Sequence, residues 1–191
     1  MSRMTIGFAI CGSFCTFRHI PAELERLKNA GYHILPIFSQ TAYTTDTRFG
    51  RASEFVQTVE SICGEKSIHT ISGAEPIGPK KLLDALVIAP CTGNTLAKLA
   101  CGITDSSVTM AAKAHLRNER PVVLAVSTND GLGLNARNIG TLSAARHIYF
   151  VPFGQDDASA KTKSLVSDMT QILPTLEAAL NGTQLQPILL R

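Results

Sequence analysis

Apolar and polar positions alternate in blocks along this chain, and the apolar blocks are short and unbroken. "TIGFAIC" (Thr5–Cys11), "HILPIF" (His33–Phe38), "ALVIA" (Ala85–Ala89), "PVVLAV" (Pro121–Val126) and "IYFV" (Ile148–Val151) each lack the period-two alternation of a half-exposed strand. Runs of this kind predict strands of a parallel sheet covered on both faces. Helical spacing fills the intervals. Ile20, Leu24 and Leu27 share a face before Gly31, and Phe55, Val59 and Ile62 share one before Gly64. Val108, Ala111, Ala112 and Leu116 mark a helix between Ser106 and Arg117, and Leu165, Met169, Ile172, Leu176 and Leu180 mark a closing helix that Pro174 should kink or divide. Strand and helix in alternation predict right-handed βαβ units. The expected fold is a doubly wound α/β sandwich, Rossmann-like or flavodoxin-like, with a mostly parallel sheet flanked by helices in one domain spanning 1–191.

Two irregular segments, Ser39–Arg51 and Ser127–Asn135, directly follow predicted strands, so both fall at the carboxyl edge of the sheet, where this architecture binds ligands. Small hydroxyl and glycine residues gather at the same edge: Gly12-Ser13, Ser39, Thr92-Gly93-Asn94-Thr95 and Ser127. A helix N-terminus offers free N–H groups and a positive dipole end to an anion, and a glycine there admits close approach. Serine, threonine and asparagine are equally the preferred N-caps, so capping alone explains any single position. Convergence of several on one edge points to a bound phosphate. Neither G-x-G-x-x-G nor the P-loop pattern occurs, which leaves a mononucleotide such as FMN as the better fit.

Composition narrows the classes. Charged residues make up 17% of 191 residues and the formal charge is +3, with no Lys/Arg stripe carrying interleaved aromatics, so no nucleic-acid partner is expected. No apolar run is long enough to cross a bilayer, and no membrane partner is expected. The apolar start, interrupted by Gly12-Ser13, reads as a core strand rather than a leader. Five cysteines without a C-x-x-C pair suit reduced, mostly buried thiols, and neither they nor the five histidines show metal-ligand spacing; no metal is expected.

"ICGS" after the first strand, Ser39, "APCTGNTLAKLACGITDSSVTMAAKAHL" and "STNDGLGLNARNIGTL" resemble the flavoprotein family of homo-oligomeric FMN-containing cysteine decarboxylases and flavin prenyltransferases. The resemblance implies FMN as cofactor, a trimer-based or larger homo-oligomer, and flavin contacts at Gly12, Ser13, Ser39, Thr92, Asn94, Thr95 and Ser127, with Gly93 admitting the backbone. "TDTRFG", "AEPIGPK", "STNDGLGLN", "FVPFGQDD" and "LQPIL" point, within that family, to the B subunits of a two-component oxidoreductase of spore-forming bacteria. What this implies is oxidation of a dihydrodipicolinate-type intermediate to pyridine-2,6-dicarboxylate, in the cytoplasm of the sporulating mother cell. NADP would be carried by a nucleotide-binding A subunit. The chain has neither the Pro-Ala-Met-Asn signature of the decarboxylases nor the Arg-Glu-Thr-Pro stretch of the prenyltransferases, and reads "STNDG" there; this argues against both chemistries. A non-catalytic component that holds substrate or braces its partner is the rival reading.

Aromatising a dihydropyridine dicarboxylate requires loss of a hydride and a proton and anchors for two carboxylates. Asp130 and Asn129 are the candidates for base and for a carboxylate or flavin contact, although Asn-Asp-Gly is also a simple turn. Arg48 is a candidate carboxylate clamp, with a solvated loop arginine as the alternative, and Asn135 a candidate substrate contact or helix cap. Cys91 is expected to be a buried filler and Asp105 a helix cap and dipole partner.

Overall fold

The computed structural model describes residues 3–190; Met1, Ser2 and Arg191 of the expected 1–191 domain lie outside the described residues. In chain order the elements are β1 (Thr5–Ile10), α1 (Ile20–Asn29), β2 (His33–Phe38), α2 (Gln40–Thr44), α3 (Ala52–Cys63), α4 (Ile71–Ala74), β3 (Ala85–Cys91), α5 (Gly93–Ala100), α6 (Ser107–Leu116), β4 (Val122–Thr128), α7 (Asn135–Ser143), β5 (Ile148–Phe150), β6 (Phe153–Asp157), β7 (Lys161–Ser167) and α8 (Ile172–Leu180). β2, β1, β3, β4 and β5 are neighbours in that order and all parallel. This is the doubly wound arrangement that the unbroken apolar runs predict: β3 is buried at every position, and β4 at all but its last residue. The faces are covered by two apolar clusters. Phe8, Leu24, Val59 and Leu176 lie in one and Leu86, Val108, Leu124 and Phe150 in the other.

The closing helix is shorter than its pattern suggests. Leu165 belongs to β7 and Met169 to a single 3₁₀ turn, and only from Ile172 does α8 begin, with Pro174 in its first turn where a missing N–H costs nothing. The residues before it form an antiparallel hairpin, β6–β7, that the apolar pattern does not foretell. The tip half of each strand is exposed and polar, with Asp156, Asp157, Lys161 and Lys163, so it carries no core signal. Asp157 Oδ1 turns the chain by accepting from the N–H groups of Ser159 and Ala160, at 3.0 and 2.9 Å.

The hairpin attaches where β4 outgrows its neighbour. Val122–Leu124 pair with β5, whereas Ser127 and Thr128 at the tip pair with Val166 and Leu165 of β7. The hairpin is thereby held beside the carboxyl edge of the parallel sheet. Gly131 of the loop after β4 packs on it so closely that a Cβ would lie 2.5 Å from Leu165.

Candidate functional site

At the carboxyl edge the tips of β1, β3 and β4 and the hairpin enclose an open cavity of about 440 Å³. That volume lies within the range of small-molecule sites. Ser13 ends the β1 turn, Thr92 to Asn94 follow β3, Ser127 and Thr128 end β4 with Asn129 and Asp130 just beyond, and Asn135 opens α7; Asp156, Lys161 and Ser164 supply the hairpin wall. The four strand-end segments expected to converge therefore reduce to three, because Ser39 turns its hydroxyl to other use. It accepts from Ala42 N at 3.2 Å as the N-cap of α2, and it does not line the cavity.

Beneath the opening, three hydroxyls close a network. Ser13 Oγ lies 2.8 Å from Ser127 Oγ and 3.2 Å from Thr16 Oγ1, and Thr16 Oγ1 lies 2.9 Å from Ser127 Oγ. Each hydroxyl has one proton and two lone pairs, so a ring of three satisfies itself and still keeps lone pairs for a guest. Thr16 was missed in the sequence; its spacing of three from Ser13, one 3₁₀ turn, was the available signal.

The β3–α5 junction combines capping with ligand-binding geometry. Thr92 is the N-cap of α5, its Oγ1 accepting from Thr95 N at 3.3 Å. Thr95, expected as a flavin contact, points into the core instead: it is 7% exposed and its Oγ1 donates to Cys11 Sγ at 3.2 Å. The N–H groups of Gly93 and Asn94, by contrast, meet no acceptor among the described residues, and both residues line the cavity. Gly93 is required by the packing there, since a Cβ would sit 2.5 Å from Asn135 Nδ2 and 2.6 Å from Thr128 Oγ1. Asn135 is thus held against the turn, and its Oδ1 accepts from Asn138 Nδ2 at 2.9 Å. It is the first residue of α7, not its cap; the N-cap is Leu134, which makes no side-chain capping bond.

Two thiols lie buried beneath the turn, Cys11 and Cys91. Burial pushes Cys11 up to about 11 despite its hydrogen bond from Thr95, and burial also raises Cys91 well above the ordinary thiol range, with Cys11 close by. Cys91 is the buried filler expected. Asp105 is not the cap of α6. Ser106 is, in a reciprocal capping box with Thr109, while Asp105 pairs with Lys98 at 2.8 Å.

Asp130 and Asn129 both line the cavity. The backbone of Asp130 builds the loop: its N–H donates to Thr128 Oγ1 at 3.3 Å and its carbonyl accepts from Gly133 N at 3.1 Å and Asn135 N at 3.3 Å. Its carboxylate lies over Gly133, where a Cβ would come within 1.8 Å of Oδ1, and has no ion-pair partner among the described residues. Arg48 is not in this cavity. Its guanidinium stacks over the Phe49 ring, 4.9 Å from the centroid, on the loop before α3.

The cradle fits the phosphate end of a mononucleotide: two unsatisfied N–H groups at a helix start, a hydroxyl ring and a glycine no larger residue replaces. Similarity to known proteins agrees with that fit. The flavoprotein family model matches residues 1–176. The B subunit of dipicolinate synthase from Bacillus subtilis is 48% identical over 184 residues, covering 96% of this chain and 92% of its own. The crystal structure of the corresponding dipicolinate synthase B subunit from Bacillus halodurans superposes with a TM-score of 0.90 at 47% identity, over 98% of this chain and 96% of that one. More distantly, flavin prenyltransferase UbiX of Chlamydia trachomatis is 28% identical over 132 residues, covering 65% of each chain.

Proposed function

Because this chain belongs to the flavoprotein family, we propose that it is the B component of a dipicolinate synthase that holds FMN at the carboxyl edge of its sheet. With an NADP-binding A subunit it oxidises a dihydrodipicolinate-type intermediate to pyridine-2,6-dicarboxylate. End-to-end identity of 48% to a dipicolinate synthase B subunit supports the substrate and the partner. The observation that carries the cofactor is the pair of unspent N–H groups at Gly93 and Asn94, beside the hydroxyls of Ser13 and Ser127.

Held there, FMN would supply a hydride acceptor. The chain's own groups do the rest. Gly12, Ser13, Thr92, Gly93 and Asn94 hold the phosphate end, with Thr95 and Ser39 fixing the turns from behind. The substrate loses two hydrogens, one as hydride and one as a proton. The carboxylate of Asp130 accepts that proton at an oxygen free of any ion pair, and Asn129 beside it donates its amide to a carboxylate or to the flavin. Aromatisation drives the reaction, so positioning is the larger share of the work. The hairpin wall excludes water from one side through Ser164 and Val166.

Co-expression with the A subunit tests the assignment. Dipicolinate should form only when both components are present, and this chain, purified, should show flavin absorption after incubation with FMN. Full activity from the A subunit alone would remove this chain from the chemistry. One observation favours the rival, non-catalytic reading: Lys161 is the one cation lining the cavity among the described residues, and Asp156 already pairs with it. A colourless protein that FMN cannot reconstitute would support that reading.

A further inference from the structure

A second cavity, of about 430 Å³, opens beside the first, and Cys15 lines both. Its character is opposite. Phe17 and Phe55 stack at 4.2 Å with an interplanar angle of 11°, and Phe14 meets Phe17 edge-on at 5.2 Å. Arg18 and Arg51 line the same cavity, and neither has a carboxylate within ion-pair distance among the described residues; Arg18 Nε donates to His19 Nε2 at 3.0 Å, which leaves its two terminal nitrogens for a ligand. No acidic side chain lines the cavity among those residues.

The wall is built before any ligand arrives. Thr47 and Gly50 exchange two backbone hydrogen bonds, at 3.0 and 3.1 Å, which closes the Thr-Arg-Phe-Gly turn. Asp46 Oδ1 accepts from Ala52 N at 2.9 Å and ties that turn to the start of α3, next to Arg51. Phe17 and Phe55 spend one face on each other, so the aromatic wall can meet a planar ring only through its outer faces and edges, and guanidinium groups without an ion-pair partner suit that ring's carboxylates. The two features sit together in one place, next to the candidate flavin cradle.

From these features we propose that the aromatic cavity is the binding site for the planar pyridine-type dicarboxylate, with Arg18 and Arg51 as its carboxylate clamps. The inference rests on the functional reading above for the identity of the substrate. It transfers the role expected of Arg48, which is spent on Phe49, to two arginines the sequence did not single out. Cys15, exposed between the cavities, marks where substrate ring and flavin would meet.

The experiment is calorimetric titration of the full chain, in its native oligomer and metal-free buffer, with pyridine-2,6-dicarboxylate and separately with FMN. Arg18→Gln and Arg51→Gln should each weaken dicarboxylate binding at least about tenfold, keep FMN affinity within about twofold, and melt with the parent. Ser127→Ala should do the reverse. Absence of saturable dicarboxylate binding by the parent chain would overturn the proposal. So would arginine variants that bind it normally, or that lose FMN to the same degree, which would put the flavin ring in this cavity. No turnover is needed. A parent pair that makes no dipicolinate but binds the dicarboxylate through these arginines sinks the functional reading alone; a productive pair whose arginine variants keep their KM sinks this inference alone.

Discussion

The two ends of the parallel sheet both carry polar side chains and put them to opposite uses. At the amino edge the polar groups are spent internally. Asp84 Oδ2 accepts from Thr5 N at 2.8 Å, Asn118 Nδ2 donates to the Gly78 carbonyl at 2.9 Å, His115 Nε2 lies 3.1 Å from the Pro121 carbonyl, and Arg120 donates to the Leu83 carbonyl. At the carboxyl edge the hydroxyl ring, the α5 N–H groups and the Asp130 carboxylate keep capacity in reserve. A closed edge contributes stability, whereas an open one contributes affinity. Mutations at the two ends should therefore separate melting temperature from ligand binding.

The largest effect should come from the amino edge, through pH. Burial lowers the His115 pKa to about 4 from the usual 6.5, outweighing its hydrogen bond to Pro121. Between those values the unfolded chain takes up a proton that the folded one refuses. Stability is therefore complete above pH 6.5 and falls by on the order of 3 kcal/mol as pH drops to 4. Urea titrations across that range should show the loss, and His115→Gln should flatten it; an unchanged pH slope in the variant would break the comparison.

Gly93→Ala comes next and strikes the open edge. Overpacking against Asn135 and Thr128 should cost about 2 kcal/mol and weaken FMN binding about tenfold, because the α5 N–H groups move with the turn. Retained affinity, read from flavin fluorescence quenching, would show that those groups do not hold the cofactor. Asp84→Ala should lower stability by about 1 kcal/mol through the orphaned Thr5 N–H, with FMN affinity unaltered. Ser127→Ala should invert that result. Ser13 and Thr16 remain partners at 3.2 Å, so stability should change by less than about 1 kcal/mol while FMN binding weakens several-fold. Arg48→Ala should be nearly silent, within about twofold in dicarboxylate affinity, since its guanidinium lies over Phe49 outside both cavities.

Some of this was written plainly in the chain. The apolar runs locate β1 to β5 to within two residues, because a strand buried on both faces can carry nothing else. Small residues at strand ends likewise announce the open edge, since a parallel doubly wound sheet places all of them on one side. Ser39, Thr92 and Thr95 show where that reading stops. Their residue types serve a cap and a ligand equally well, and the choice depends on the direction each hydroxyl takes.

Sequence alone thus determined the doubly wound sheet and the edge that carries the site, because local burial and helix periodicity are encoded residue by residue. Tertiary structure decided the contents of that edge. Only the excess length of β4 brings the charged hairpin to the cavity, and only the approach of the loop before α3 to the turn after β1 joins Arg51 and Phe55 to Arg18 and Phe17. Those contacts join residues more than thirty positions apart through exposed segments, and exposed segments carry no hydrophobic period by which the chain could reveal them.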